Sequence, residues 1–145
     1  MPEPIAEYQR GTATVTLTGG TEEVVELRLT PGGSMTSFVG SQLYWRNDDG
    51  WGLGLIGYGE QAGGFGPAGS LQIDRAIRGH WSAQDFMGVC DVDIEQMDDK
   101  AFRGTAACDG MRWTDAMTGM FAMEGPQVID GEDPFDAEIR FEALP

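Results

Sequence analysis

Histidine, cysteine and lysine are scarce in this sequence: one His, two Cys and, at position 100, a single Lys among nine basic residues. Each scarcity narrows the chemistry. With His80 alone and no Gly-x-Ser-x-Gly elbow, a Ser-His-Asp hydrolase would have to be assembled from unremarkable parts; HWSAQDF supplies His80, Ser82 and Asp85, but closeness in sequence is not the spatial arrangement a triad needs. Nine basic against 24 acidic side chains leave a formal charge of −15. Nucleic acid and anionic membrane surfaces are therefore not expected partners, because both recruit proteins through Lys and Arg. No run approaches the roughly 18 apolar residues of a membrane-spanning helix, and the start, MPEPIAEYQRG, has no basic stretch followed by an apolar one. Cys90 and Cys108 do not make a CxxC pair, so neither a redox motif nor a structural zinc site is indicated.

What is present points to strands. The 145 residues are 41% hydrophobic, enough to close one core, and a single acidic domain spanning 1–145 is expected, with 1–10 as a flexible N-terminal segment. Glycine is in excess at 22 residues, which suits frequent turns. TATVTLT, residues 12–18, places Ala13, Val15 and Leu17 on one face and four threonines on the other. VVELRLT, residues 24–30, alternates again, with Val25, Leu27 and Leu29 inward and Glu26 and Arg28 outward. A hairpin through Gly19-Gly20 that sets Leu17 opposite Val25, Val15 opposite Leu27 and Ala13 opposite Leu29 gathers every apolar residue on one face; a one-residue slip scatters them.

Residues 35–47 read as one or two strands, and WGLGLIGY from Trp51 to Tyr58 as another, with Trp51, Leu53 and Leu55 on one face and Gly52 and Gly54 baring the other. A glycine-rich loop follows over 59–70, then a short strand over 71–75. Residues 76–84 carry a weak pattern for one helical turn. FDAEIRFEA, residues 135–143, is the cleanest alternation of all. The fold class expected is all-β, a single antiparallel β-sandwich or flattened barrel of about seven to ten strands with one disulfide-bridged hairpin.

That hairpin is CDVDIEQMDDKAFRGTAAC, centred on Asp99. Antiparallel pairing about this centre sets Ile94 opposite Gly104, Val92 opposite Ala106 and Cys90 opposite Cys108, all inward, and Glu95 opposite Arg103 outward. Thiol proximity, apolar burial and charge pairing agree on one register, and a Cys90–Cys108 disulfide is predicted. Disulfides persist in oxidising compartments. The expected location is therefore extracytoplasmic, whether secreted, periplasmic or at the cell surface, with a signal or anchor segment missing from this chain.

Candidate binding residues gather around the glycine-bared strand: Trp45, Trp51, Gly52, Gly54 and Tyr58, with Asp48 and Asp49 in the adjoining turn, because an aromatic face with nearby carboxylates is what sugar stacking or a protein partner would use. Calcium candidates are Asn47, Asp48 and Asp49 in one turn and Asp130, Glu132, Asp133 and Asp136 in another; neither fits the EF-hand pattern, and no cofactor is expected. Met117, Met120 and Met123, with Met111 nearby, have a copper-like spacing only on a helix, and core filling is the expected role.

Cys90, Cys108, the Gly104-Thr105 approach to the second cysteine and the terminal FDAEIRFEA strand resemble small secreted bacterial lipoprotein-antigen β domains of the actinobacterial type, over roughly the last 60 residues. The N-terminal lipidated cysteine of such proteins is absent here, and the resemblance implies no catalytic residue. The function expected is a non-catalytic, extracytoplasmic binding or cell-surface module for a protein or carbohydrate. The alternatives are a small secreted hydrolase using two carboxylates, or a secreted enzyme inhibitor.

Overall fold

A computed structural model describes residues 6–20, 22–30, 34–37, 40–56, 70–75, 81–84, 90–115, 127–128 and 134–145. In chain order the strands are β1 (Ala6–Tyr8), β2 (Thr12–Gly19), β3 (Glu23–Leu29), β4 (Ser34–Ser37), β5 (Gly40–Arg46), β6 (Trp51–Ile56), β7 (Ser70–Arg75), β8 (Trp81–Gln84), β9 (Cys90–Met97), β10 (Phe102–Met111), β11 (Thr114–Asp115), β12 (Gln127–Val128) and β13 (Phe135–Ala143). All pairings are antiparallel and belong to one sheet, ordered β12-β11-β8-β7-β6-β5-β3-β2-β13-β10-β9, with β4 bridging β1 and β5. The sheet curls into a half-barrel, so the all-β antiparallel class stands. Thirteen strands are present among the described residues, where about seven to ten were expected, and two of them are only two residues long. Among the described residues there is no helix, and residues 81–84 pair with β7 as a strand where a helical turn was weakly indicated.

Alternation in sequence becomes burial in space. Strand β13 buries Phe135, Ala137, Ile139, Phe141 and Ala143 and exposes the residues between, while β2 buries Ala13, Val15 and Leu17. Opposed strands then meet across the curl. Trp45 of β5 lies 5.7 Å from Phe141 of β13, and Phe141 continues to Phe102 at 5.8 Å and Phe102 to Tyr8 at 6.2 Å. A second aromatic series runs from Trp51 to Trp113 at 6.0 Å and on to Phe135 at 4.8 Å. The Trp45 indole also donates from Nε1 to the Glu142 carbonyl at 3.1 Å, which satisfies a polar group that would be costly to bury alone. The N-terminal segment expected to be loose is paired from Ala6 onward, and Tyr8 is buried with its hydroxyl donating to the Asp98 carbonyl at 2.9 Å.

Two registers depart from expectation. In the β2–β3 hairpin Val15 faces Val25 and Ala13 faces Leu27, a shift of two residues from the pairing read in the sequence. A two-residue shift preserves which face each side chain occupies, so hydrophobic patterning fixed the parity and the turn chose the register. In the β9–β10 hairpin Cys90, Val92 and Ile94 face Cys108, Ala106 and Gly104 as expected, but Arg103 faces Gln96 instead of Glu95. Glu95 is the extra residue of a β-bulge. That bulge brings the β9 backbone across Gly104, where an added Cβ would collide with the Asp93 carbonyl oxygen and approach Phe141 Cζ at 3.0 Å, so only glycine fits.

The turn of this hairpin is organised by Asp98. Its carboxylate accepts from the backbone N–H of Lys100 at 2.8 Å and of Ala101 at 3.0 Å, and from Gln96 Nε2 at 3.1 Å. These bonds, the Lys100 amide foremost, hold the Asp98 carboxyl below its ordinary 3.8. A lowered carboxylate pKa stabilises the fold above the unfolded-state value and loses that contribution as pH falls through the folded-state value. Asp98→Asn is therefore expected to lower the urea midpoint at neutral pH and to reduce the loss of stability in the acid limb below pH 4. An acid limb identical to that of the unsubstituted protein would contradict the role assigned to this carboxylate.

Candidate functional site

Strand β3 outruns its neighbour. Only Arg28 and Leu29 pair with β5, at Arg46 and Trp45, after which β5 leaves the sheet through the Asn47–Gly50 turn. Asn47 builds this turn by accepting at Oδ1 from the N–H groups of Asp49 and Trp51, each at 3.0 Å, and Gly50 supplies a φ of +90°. Among the described residues the early part of β3 is consequently a sheet edge. Together with the turn it walls a cleft of about 1180 Å³ lined by Thr12, Thr14, Glu23, Val24, Glu26, Arg28, Arg46, Asn47, Asp48, Asp49 and Trp51, among others.

Backbone geometry says which groups face the cleft. The Leu29 N–H donates to the Gly11 carbonyl, so the odd residues of β3 bond β2. The even residues, Val24, Glu26 and Arg28, direct their N–H and C=O groups the other way. Thr30 continues this pattern by donating to the Tyr44 carbonyl at 2.8 Å. The Glu26 carbonyl receives Asn47 Nδ2 at 3.3 Å. Among the described residues, nothing pairs with the Val24 N–H and C=O or with the Glu26 N–H. Val24 is 65% exposed, the largest exposure of any bulky apolar side chain described. Four carboxylates, of Glu23, Glu26, Asp48 and Asp49, share the cleft with the guanidinium groups of Arg28 and Arg46 at its closed end.

The expected binding residues divide between this cleft and the core. Asp48, Asp49 and Trp51 line the cleft, but Trp51 is only 6% exposed, with the Arg75 guanidinium 4.9 Å above its ring, and Trp45 is 0% exposed. Neither indole offers a face for stacking on a ligand. The face bared by Gly52 and Gly54 is covered: Asp74 Cβ and the Trp45 carbonyl lie 3.6 Å from where a Gly52 Cβ would be, and the Tyr44 ring lies 3.4 Å from the corresponding point at Gly54. Tyr58 lies outside the described residues, as do His80, Asp85, Met117, Met120, Met123, Asp130, Glu132 and Asp133. Asp136 is exposed and accepts from the Gly110 N–H at 3.0 Å, which stabilises the irregular stretch of β10. Met111 is buried in the core. Among the described residues no group of His, Cys, Asp or Glu is placed to hold a metal ion. No helix among them is long and apolar enough to cross a membrane.

The predicted disulfide is present, joining Cys90 to Cys108 across the β9–β10 pair with a Cα–Cα distance of 4.0 Å. What the sequence reading missed is Val24, Glu26 and the edge they form. The available signal was Val24 itself, a β-branched residue at an outward position between Glu23 and Glu26. No protein-family model, curated protein or solved structure matches the chain.

Proposed function

We propose that this protein is a non-catalytic, extracytoplasmic binding module whose recognition surface is the cleft beside β3. The observation that carries this reading is the incomplete edge inside the cleft, where backbone donors and acceptors lie next to an exposed apolar side chain. Such an edge invites covering by a partner. The Cys90–Cys108 bond supports the extracytoplasmic half, since reducing compartments rarely keep disulfides. Burial of Trp45 and Trp51 favours a protein ligand over a stacked sugar.

Thiol trapping tests the location. Native cells are alkylated before lysis, fractionated, and the protein is analysed by mass spectrometry. The expected result is an unalkylated Cys90–Cys108 linkage in the envelope or culture fluid. Two alkylated thiols on protein in the cytosolic fraction would overturn the reading.

A further inference from the structure

Resting on the cleft as the recognition surface, we infer that its ligand is an extended, cationic protein segment that joins the sheet as an added strand along β3. The edge from Glu23 to Glu26 is roughly 14 Å long at the usual rise of a strand. The Asn47–Gly50 turn ends β5 where the free edge begins, so an incoming strand continues the line that β5 abandons. Main-chain hydrogen bonds to Val24 and Glu26 would supply affinity, and side chains at alternate positions would supply selectivity.

Charge decides the sign of the partner. Four carboxylates against two guanidinium groups leave the cleft walls at −2, and the whole chain stands at −15. A second copy of this chain is repelled on the same grounds, because carboxylates on a strand edge oppose pairing with a like-charged edge. A cationic strand is attracted. The register refines this preference, since side chains directly opposite each other on a sheet interact. The even residues of β3 face outward, so the position opposite Glu26 is best filled by Lys or Arg, and that opposite Val24 by a β-branched residue.

The test uses the full, oxidised, nitrogen-15-labelled chain and the peptide acetyl-Thr-Lys-Val-Ile-Thr-Lys-amide. At saturation the Val24 and Glu26 amides are expected to shift and to exchange with deuterium at least about tenfold more slowly, as newly paired groups do. The same peptide with Glu in place of Lys should bind about tenfold more weakly, and the difference should shrink at high salt. Glu26→Lys should reverse that preference. Val24→Pro removes the edge-facing N–H without touching a bond to β2, and it should abolish binding while circular dichroism stays unchanged. Should Val24→Pro unfold the protein, the charge reversal at Glu26 still decides. Equal binding of both peptides, no binding of either, or Val24 and Glu26 amides already protected in the free protein would overturn the added strand. None of those outcomes moves the thiol-trapping result, so the location can stand or fall separately. A neutral oligosaccharide that shifts the same cleft would keep the binding module and reject the strand.

Discussion

Reducing the Cys90–Cys108 bond, or replacing both cysteines with alanine, is expected to lower the unfolding free energy by about 3 kcal/mol and the melting temperature by roughly 10 °C. The bond closes a loop with a sequence separation of 18, and releasing it returns that loop's freedom to the unfolded chain. A second contribution is local. Strand β9 pairs only with β10 among the described residues, and its Val92 and Ile94 are merely half-buried against the core. Without the bridge, β9 is held by one ladder alone. Urea titrations with and without reductant measure the change, and coincident midpoints would show that the bond carries no stability.

Phe141→Ala is expected to cost about 3–5 kcal/mol, the range for truncating a large aromatic in a core that cannot collapse onto the gap. Phe141 sits between Trp45 and Phe102, beneath the point where Gly104 admits the β9 backbone. Neighbours on β5 and β10 therefore lose contact at once. Their backbones are locked in the ladder, which prevents relaxation into the cavity. Thermal and chemical unfolding should agree on the loss, whereas a change under 1 kcal/mol would mean that the aromatic series does not bear on stability.

Much of this fold was legible because period-two alternation reports directly on burial. Ala13, Val15 and Leu17 and the inward set of β13 follow from that one rule, and the pairing of Cys90 with Cys108 followed from centring their hairpin on Asp99. The β2–β3 offset was not legible, since patterning is blind to even shifts. Nor was the Glu95 bulge, because it arises from the approach of β9 to a glycine whose need depends on Phe141 from a distant strand. The burial of the two candidate indoles was not legible for a related reason. Tryptophan can serve either a core or a surface, and Trp45 and Trp51 were drawn inward by aromatic partners far off in sequence. Val24 carries the opposite lesson: its exposure follows from the parity of β3, but its open edge follows from where β5 stops.

The placement of β13 between β2 and β10 governs when this protein can begin to be native. Of the described strands β13 lies furthest along the sequence, and it joins the β2–β3 pair to the disulfide hairpin. Until Phe135–Ala143 has been synthesised, β2 and β10 have no common partner, and neither Phe135 nor Phe141 is there to complete its aromatic series. Such long-range closure is slow compared with local pairing. Closure of the sheet therefore waits on this long-range pairing rather than on any single hairpin turn.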